Sequence, residues 1–421
     1  MSARAGMTSI SDSQATAAPA SGSQTIGCFL LLLVGLHLAA GGVVQLSSWR
    51  VDPAINHALA EALAWRDGRL TLPGRMHDSA LFEGRVYNVF PPLFTLLAYA
   101  AVTVGPLLGV AEGQFYAPWY VALVALPLPL AGYWMFFRVV GRPPWAALFT
   151  AIWILATPVL PCLSIAREAG INQVNHLLSQ TGLMLIVGSL LGRRSDAPGL
   201  VGLVIATWSR PTCILYAIPQ FVAAWRDPSP RRTKRITAVC ASVAVSLSLP
   251  MALSWAKFGS PFESGYRYIY EGRKDELARR GREALFSTAN IPRNAWFMNF
   301  ELPGWEFGSY GIRPTLNPQG ASIWFTMPLL VFCLIDVRRW WRVREERRLM
   351  LTTLAVIVGL LLYHNTGYIQ PGYYRFSLDF LPVWLAIVAS RSVLVPGRLR
   401  WILAASAWSM VYFRLVTELY A

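Results

Sequence analysis

Residues 231–257 read RRTKR-ITAVCASVAVSLSLPMALSWAK: four cations within five residues, then no charged side chain until Lys257. A bilayer core about 30 Å thick is crossed by about 20 helical residues at about 1.5 Å each, which is the length of this run. In hydrocarbon, a helix satisfies its backbone N–H and C=O groups internally. Cations massed at one end mark the cytoplasmic edge of such a helix.

The same pattern repeats in both directions along the chain. Apolar segments fall at 26–47, 91–110, 115–137, 143–163, 175–191, 198–225 (interrupted), 236–257, 321–336, 349–363, 376–391 and 401–418. The expected fold is therefore all-α, a polytopic transmembrane helical bundle of about ten or eleven spans with extracytoplasmic juxtamembrane helices and loops. Alternating segments of about ten residues, which a membrane β-barrel needs, are missing. Composition agrees: of 421 residues 55% are hydrophobic and 14% charged, about half the charged share of a soluble domain. Residues 1–25 are rich in Ser, Ala, Thr and Gln and read as a disordered tail before a single domain, 26–421. The run 26–47 exceeds a signal peptide's apolar core and reads as an uncleaved first span.

The net charge of +15 sits mainly in short loops, so membrane lipids rather than nucleic acid are the expected partners. Clusters at Arg138/Arg142, Arg193/Arg194, Arg226–Arg235, Arg338–Arg348 and Arg391–Arg400 all belong in the cytoplasm if the positive-inside rule holds. With the N-terminus also cytoplasmic, as in a bacterial-type inner or plasma membrane protein, parity makes 198–225 a hairpin of short helices. Arg210–Pro211 breaks it near the tip. Parity also makes 91–110 dip into the membrane or lie along it. Two hydrophilic loops, about 48–90 and 258–319, then face outward. The five cysteines lie in or beside apolar runs without metal-binding spacing, and neither metal nor cofactor is expected.

The first loop carries the most informative order of residues. Asp52–Pro53 has the form of a helix start, and Ile55, Leu59 and Leu63 share one face with Asn56 and Glu61 off it. This predicts an amphipathic helix on the membrane surface, for which Asp52 is equally well a plain cap. Further on come His77-Asp78, Gly84-Arg85-Val86-Tyr87-Asn88 and Val89-Phe90-Pro91-Pro92-Leu93. Later stretches of the same character are Trp208-Ser209-Arg210-Pro211-Thr212, Lys257-Phe258-Gly259-Ser260-Pro261-Phe262 and Gly372-Tyr373-Tyr374-Arg375.

In this order and over roughly residues 26–390 the chain resembles the GT-C superfamily of membrane glycosyltransferases, in particular the protein O-mannosyltransferase and aminoarabinose transferase branch and its bacterial relatives. That family has an Asp-Glu pair where this chain has Asp52-Pro53. The resemblance implies an inverting glycosyltransferase that moves a sugar from a polyprenyl-phosphate donor to a lipid or glycan acceptor on the outer face. It implies Asp52 as the base, with Asp78 as second candidate, and Arg375 and Arg210 as contacts to the donor phosphate. Asn88, Tyr87, Tyr266, Arg167 and His176 are further candidates for the substrate region.

Because the leaving group is a phosphate, stable as an anion, one carboxylate suffices to accept the acceptor's proton. A glycosidase, by contrast, needs a second carboxyl group to protonate a poor leaving group. Plainer readings stand beside each assignment. Arg375 is as well placed for snorkelling at the interface, Arg167 for pairing with Glu168, and Tyr266 for an aromatic belt. A transporter or flippase of a lipid-linked substrate, or an inactive membrane scaffold of the same fold, fits the sequence too.

Overall fold

The computed structural model describes residues 50–51, 56–109, 115–165, 171–192, 196–308, 311–366, 372–393, 395 and 397–420. The tail, the expected first span, Asp52 and Arg167 lie outside the described residues. The bundle is built on α1 (His57–Arg66), α2 (Leu93–Val104), α3 (Pro127–Val140), α4 (Pro143–Leu155), α5 (Ile171–Gly192) and α6 (Ala197–Ser209). It continues with α7 (Ala217–Trp225), α8 (Arg232–Phe258), α9 (Arg344–Leu362), α10 (Leu381–Ser392) and α11 (Arg398–Tyr420). The chain is mostly helical, 73% helix and 4% strand, and helices supply most of its core. Among the described residues four helices are long and apolar enough to cross a membrane: Ala122–Val140, Asn172–Gly192, Arg232–Phe258 and Arg398–Leu419. Other apolar helices are shorter; the 12 residues of α2 rise about 18 Å, less than the hydrocarbon thickness.

α5 is the axis. Seventy-two per cent of its most apolar window is buried, against 17% for α8 at the periphery. α5 and α6 meet through glycines: a Cβ on Gly182 would stand 2.5 Å from the Gly202 carbonyl oxygen, and one on Gly202 just as close to that of Gly182. Small residues are what allow helix backbones to approach so closely. On α8, Val245, Leu247 and Trp255 point away from the protein. A helix this apolar and this uncovered calls for an apolar surrounding.

α6 and α7 form the expected hairpin. Arg210 between them is extended (φ −145°, ψ 104°), and Pro211 has no N–H with which to continue the α6 ladder. The Gln220 side-chain amide reaches back to the Gly199 carbonyl (3.3 Å), which sets the two arms antiparallel. The expected span 321–336 is instead broken into Ile323–Thr326, a 3-10 turn Pro328–Leu330 and Val331–Ile335. Pro328 at the break accounts for the interruption.

The helix expected in the first loop, α1, differs from expectation in two ways. Its described cap is Asn56, whose side chain accepts the Leu59 N–H (2.9 Å). Nor does it lie on a surface: His57 through Ala62 are all buried. The Glu61 carboxylate is satisfied inside the protein, by Lys257 Nζ (2.5 Å), the Asn88 amide (2.7 Å) and the Thr95 hydroxyl (2.8 Å). With those partners the polar side of α1 is as buried as its apolar side.

The two hydrophilic loops pack on one another over one end of the bundle. Ala80–Phe82 and Arg85–Tyr87 form a hairpin closed by Glu83 (φ 50°) and Gly84 (φ 73°). Two positive φ values in a two-residue turn match the twist of paired strands. From this hairpin Phe82 meets Phe258 and Tyr268, at ring distances of 5.6 and 4.7 Å. The second loop adds short helices at Glu276–Glu283 and Ile291–Asn299 and a hairpin of Gly304–Gly308 with Gly311–Thr315.

Candidate functional site

Under this cap lies a cavity of about 280 Å³ whose wall includes Asp78, Arg210, Tyr266 and Arg375. Four separate parts of the chain supply them. Asp78 comes from the first loop, Arg210 from the tip of the α6–α7 hairpin, Tyr266 from the second loop and Arg375 from the 3-10 turn Arg375–Asp379 ahead of α10. Leu277, Leu285, Phe286 and Leu360 give the same cavity an apolar side.

Asp78 is in the left-handed region (φ 62°), where Asp and Asn are tolerated far better than bulkier residues. The next residue holds the turn: the Ser79 hydroxyl accepts the Met76 N–H (2.9 Å) and donates to the Met76 carbonyl (2.7 Å). His77 Nδ1 lies 3.4 Å from Asp78 Oδ2. Burial pushes the Asp78 carboxyl up, but the hydrogen bond and charge of His77, helped by His57 and Arg273, leave it below its ordinary value. Asp78 is thus a carboxylate at neutral pH and faces the cavity.

Arg375 is almost fully buried yet reaches the cavity wall. Arg210 is held differently. Its Nε and Nη2 fork onto the Asp379 carboxylate (3.1 and 2.9 Å), which also accepts the Thr212 hydroxyl (2.9 Å) and faces His176 Nδ1 at 3.4 Å. The Tyr216 hydroxyl donates to the Asp379 backbone carbonyl (3.1 Å). Such a two-pronged clamp fixes a guanidinium plane, here with its Cζ 5.1 Å from the centre of the Phe376 ring.

The other candidates stand elsewhere. Tyr87 is buried against Phe258, with ring centres 5.5 Å apart. Asn88 is fully buried, donating to Glu61 while its Oδ1 accepts the Phe90 N–H (3.0 Å). Both brace the first loop behind the cavity instead of lining it. His176 lies behind Asp379. Among the described residues no cluster of three His, Cys, Asp or Glu side chains is arranged to hold a metal ion.

Sequence reasoning passed over Asp379 and His77. Asp379 stands four residues after Arg375 and just before Leu381-Pro382, so an acid at helical spacing from a candidate cation was the available signal. For His77 the sequence offers only its place beside Asp78. Comparison of the chain with family profiles, with curated proteins and with solved structures finds no match.

Proposed function

We propose that this chain is a polytopic membrane protein that transfers a sugar from a polyprenyl-phosphate donor to an acceptor hydroxyl, with Asp78 as the base. The observation that supports this most is one cavity in which a carboxylate, two arginines and an apolar side meet. Each part has a use in that reaction. The apolar side suits the first isoprene units of the donor, and Tyr266 and Tyr363 offer ring faces to a sugar. Arg375 pairs with the donor phosphate, whose two oxygens match a guanidinium fork. Arg210, oriented by Asp379, adds a second positive charge there.

In the transfer step the acceptor oxygen attacks the anomeric carbon from the face opposite the phosphate. The C–O bond to phosphate breaks, its electron pair leaves with the polyprenyl phosphate, and Asp78 takes the acceptor proton. The configuration inverts. Preorganised positive charge at the leaving oxygens lowers the barrier further.

The test is turnover of a radiolabelled polyprenyl-phosphate sugar by the purified full chain in lipid nanodiscs. Asp78→Asn keeps a residue that tolerates the left-handed backbone but removes the base, and should lower transfer by about 10²–10⁴-fold. If Asp78→Ala and Asp52→Ala both transferred sugar as fast as the natural chain, the mechanism would be wrong.

A further inference from the structure

A second cavity, of about 1120 Å³, lies at the opposite end of the bundle. α5 links the two: Asn172 lines the first and Ser189 the second, about 26 Å apart at the helical rise. That separation approaches the thickness of a hydrocarbon core, so the second cavity sits at headgroup depth if the first lies beyond the other surface. Trp225 and Trp341, both largely exposed, flank this end, where interfacial tryptophans gather.

The wall of this cavity is positively charged and not internally balanced. Arg226, Arg231, Lys234, Arg235, Arg344 and Arg348 line it, against Asp196, Asp227 and Glu345. Two of those three acids are taken by one cation: Arg235 Nε lies 2.6 Å from Asp196, and its Nη1 2.6 Å from Asp227. Of the remaining cations, Arg226 caps the C-terminus of α7, whereas Arg231, Lys234 and Arg344 stand at helix starts, where the dipole disfavours them. α8 opens on Arg232, Lys234 and Arg235 with no acid in its first turn. α9 opens on Arg344 with Glu345 and Glu346 in its first turn; the buried Glu346 is taken by Arg391 (2.5 Å), and Arg347 and Arg348 follow. Helix N-termini carry positive partial charge, so both ends attract an anion and repel these side chains. Among the described residues, the buried Nη2 of Arg348 has no hydrogen-bond acceptor.

We infer that this cavity binds the phosphate of an anionic phospholipid headgroup, held by Arg226, Lys234, Arg344 and Arg348. An anion there would supply the missing acceptor and counter the charge at both helix starts. The site requires α5 and α8 to sit in a bilayer but does not depend on the chemistry at the other end of the molecule.

The full chain, purified in neutral detergent, can be titrated with phosphatidylglycerol or phosphatidylcholine and followed by native mass spectrometry. Phosphatidylglycerol should bind selectively. Arg226→Gln and Arg348→Gln should each weaken it about fivefold, as expected for one interfacial cation. Arg338→Gln, exposed and off this wall, should leave binding unchanged. Should Arg348→Gln fold poorly, the exposed Lys234→Gln carries the same test with the same expected loss. Equal binding of phosphatidylcholine, unchanged affinity in the wall variants, or an equal loss in Arg338→Gln would overturn the site. Competition by inorganic phosphate at lipid concentrations would overturn the lipid as its occupant.

Discussion

His77 and Asp78 form a pair whose stability depends on pH in both directions. The hydrogen bond that His77 donates to Asp78 raises His77 above 6.5, its ordinary value, so its contribution is complete below that pH and is lost as pH rises through the raised value. Asp78 ends below 3.8, so its share is present above that value and is lost as pH falls through the lowered one. Amide exchange at residues 76–80, corrected for its intrinsic rate, should be slowest between pH 3.8 and 6.5. His77→Gln should abolish the alkaline limb; an unchanged limb would mean that the pair does not hold the loop. Lys257 poses a starker test. Lys257→Met leaves Glu61 buried without its cation and should cost about 3–5 kcal/mol, read as a loss of denaturant or thermal stability. Adding Glu61→Gln should recover most of that; full additivity of the two changes would show that they are not coupled. Little of this was legible in advance. Lys257 is 196 residues from Glu61 and Arg210 is 169 from Asp379, and no local pattern announces a pairing across such a gap. Asp78 was legible from the family resemblance and Arg375 because it stands at the head of an apolar run; both line the same cavity.

At the scale of elements, the close contact of α5 with α6 makes a sharp prediction. Gly182→Val would drive a side chain into the Gly202 carbonyl and should cost about 1–3 kcal/mol or more, seen as a lower melting temperature in detergent. Gly359→Ala is the control: a Cβ there meets nothing within 4 Å, and the better helix former should hold or raise stability. The helices themselves were readable because about 20 apolar residues leave the backbone few alternatives. The α6–α7 hairpin was readable because Arg210-Pro211 interrupts one such run. The start of α1 was not. Asp52-Pro53 and Asn56 are both good openings, and only the buried network around Glu61 tells how deep the helix lies.

For the molecule as a whole, Cys240 on the uncovered side of α8 tests the surroundings directly. It is exposed in the protein and about 12 Å from the helix start, so in water a thiol reagent would reach it. In sealed membranes a charged maleimide should leave it unlabelled until detergent denatures the chain. Rapid labelling in intact membranes would place α8 in water. The overall apolar character and the basic clusters were plain from composition. That several of those clusters converge on one cavity was not, since Arg226 and Arg348 are brought together only by the packing of α7 and α9.

α8 is fastened at both extremities, by Lys257 to Glu61 at one and by Arg235 to Asp196 and Asp227 at the other. Its 27 residues extend about 40 Å, well beyond a hydrocarbon layer of about 30 Å. A strut pinned twice has no freedom to slide, so a thinner bilayer obliges it to lean. The lean is passed through Glu61 to Asn88, whose amide donates to it (2.7 Å), and so to the loop that carries Asp78. Were α8 embedded in a bilayer, acyl-chain length would thereby bear on the position of the carboxylate at Asp78.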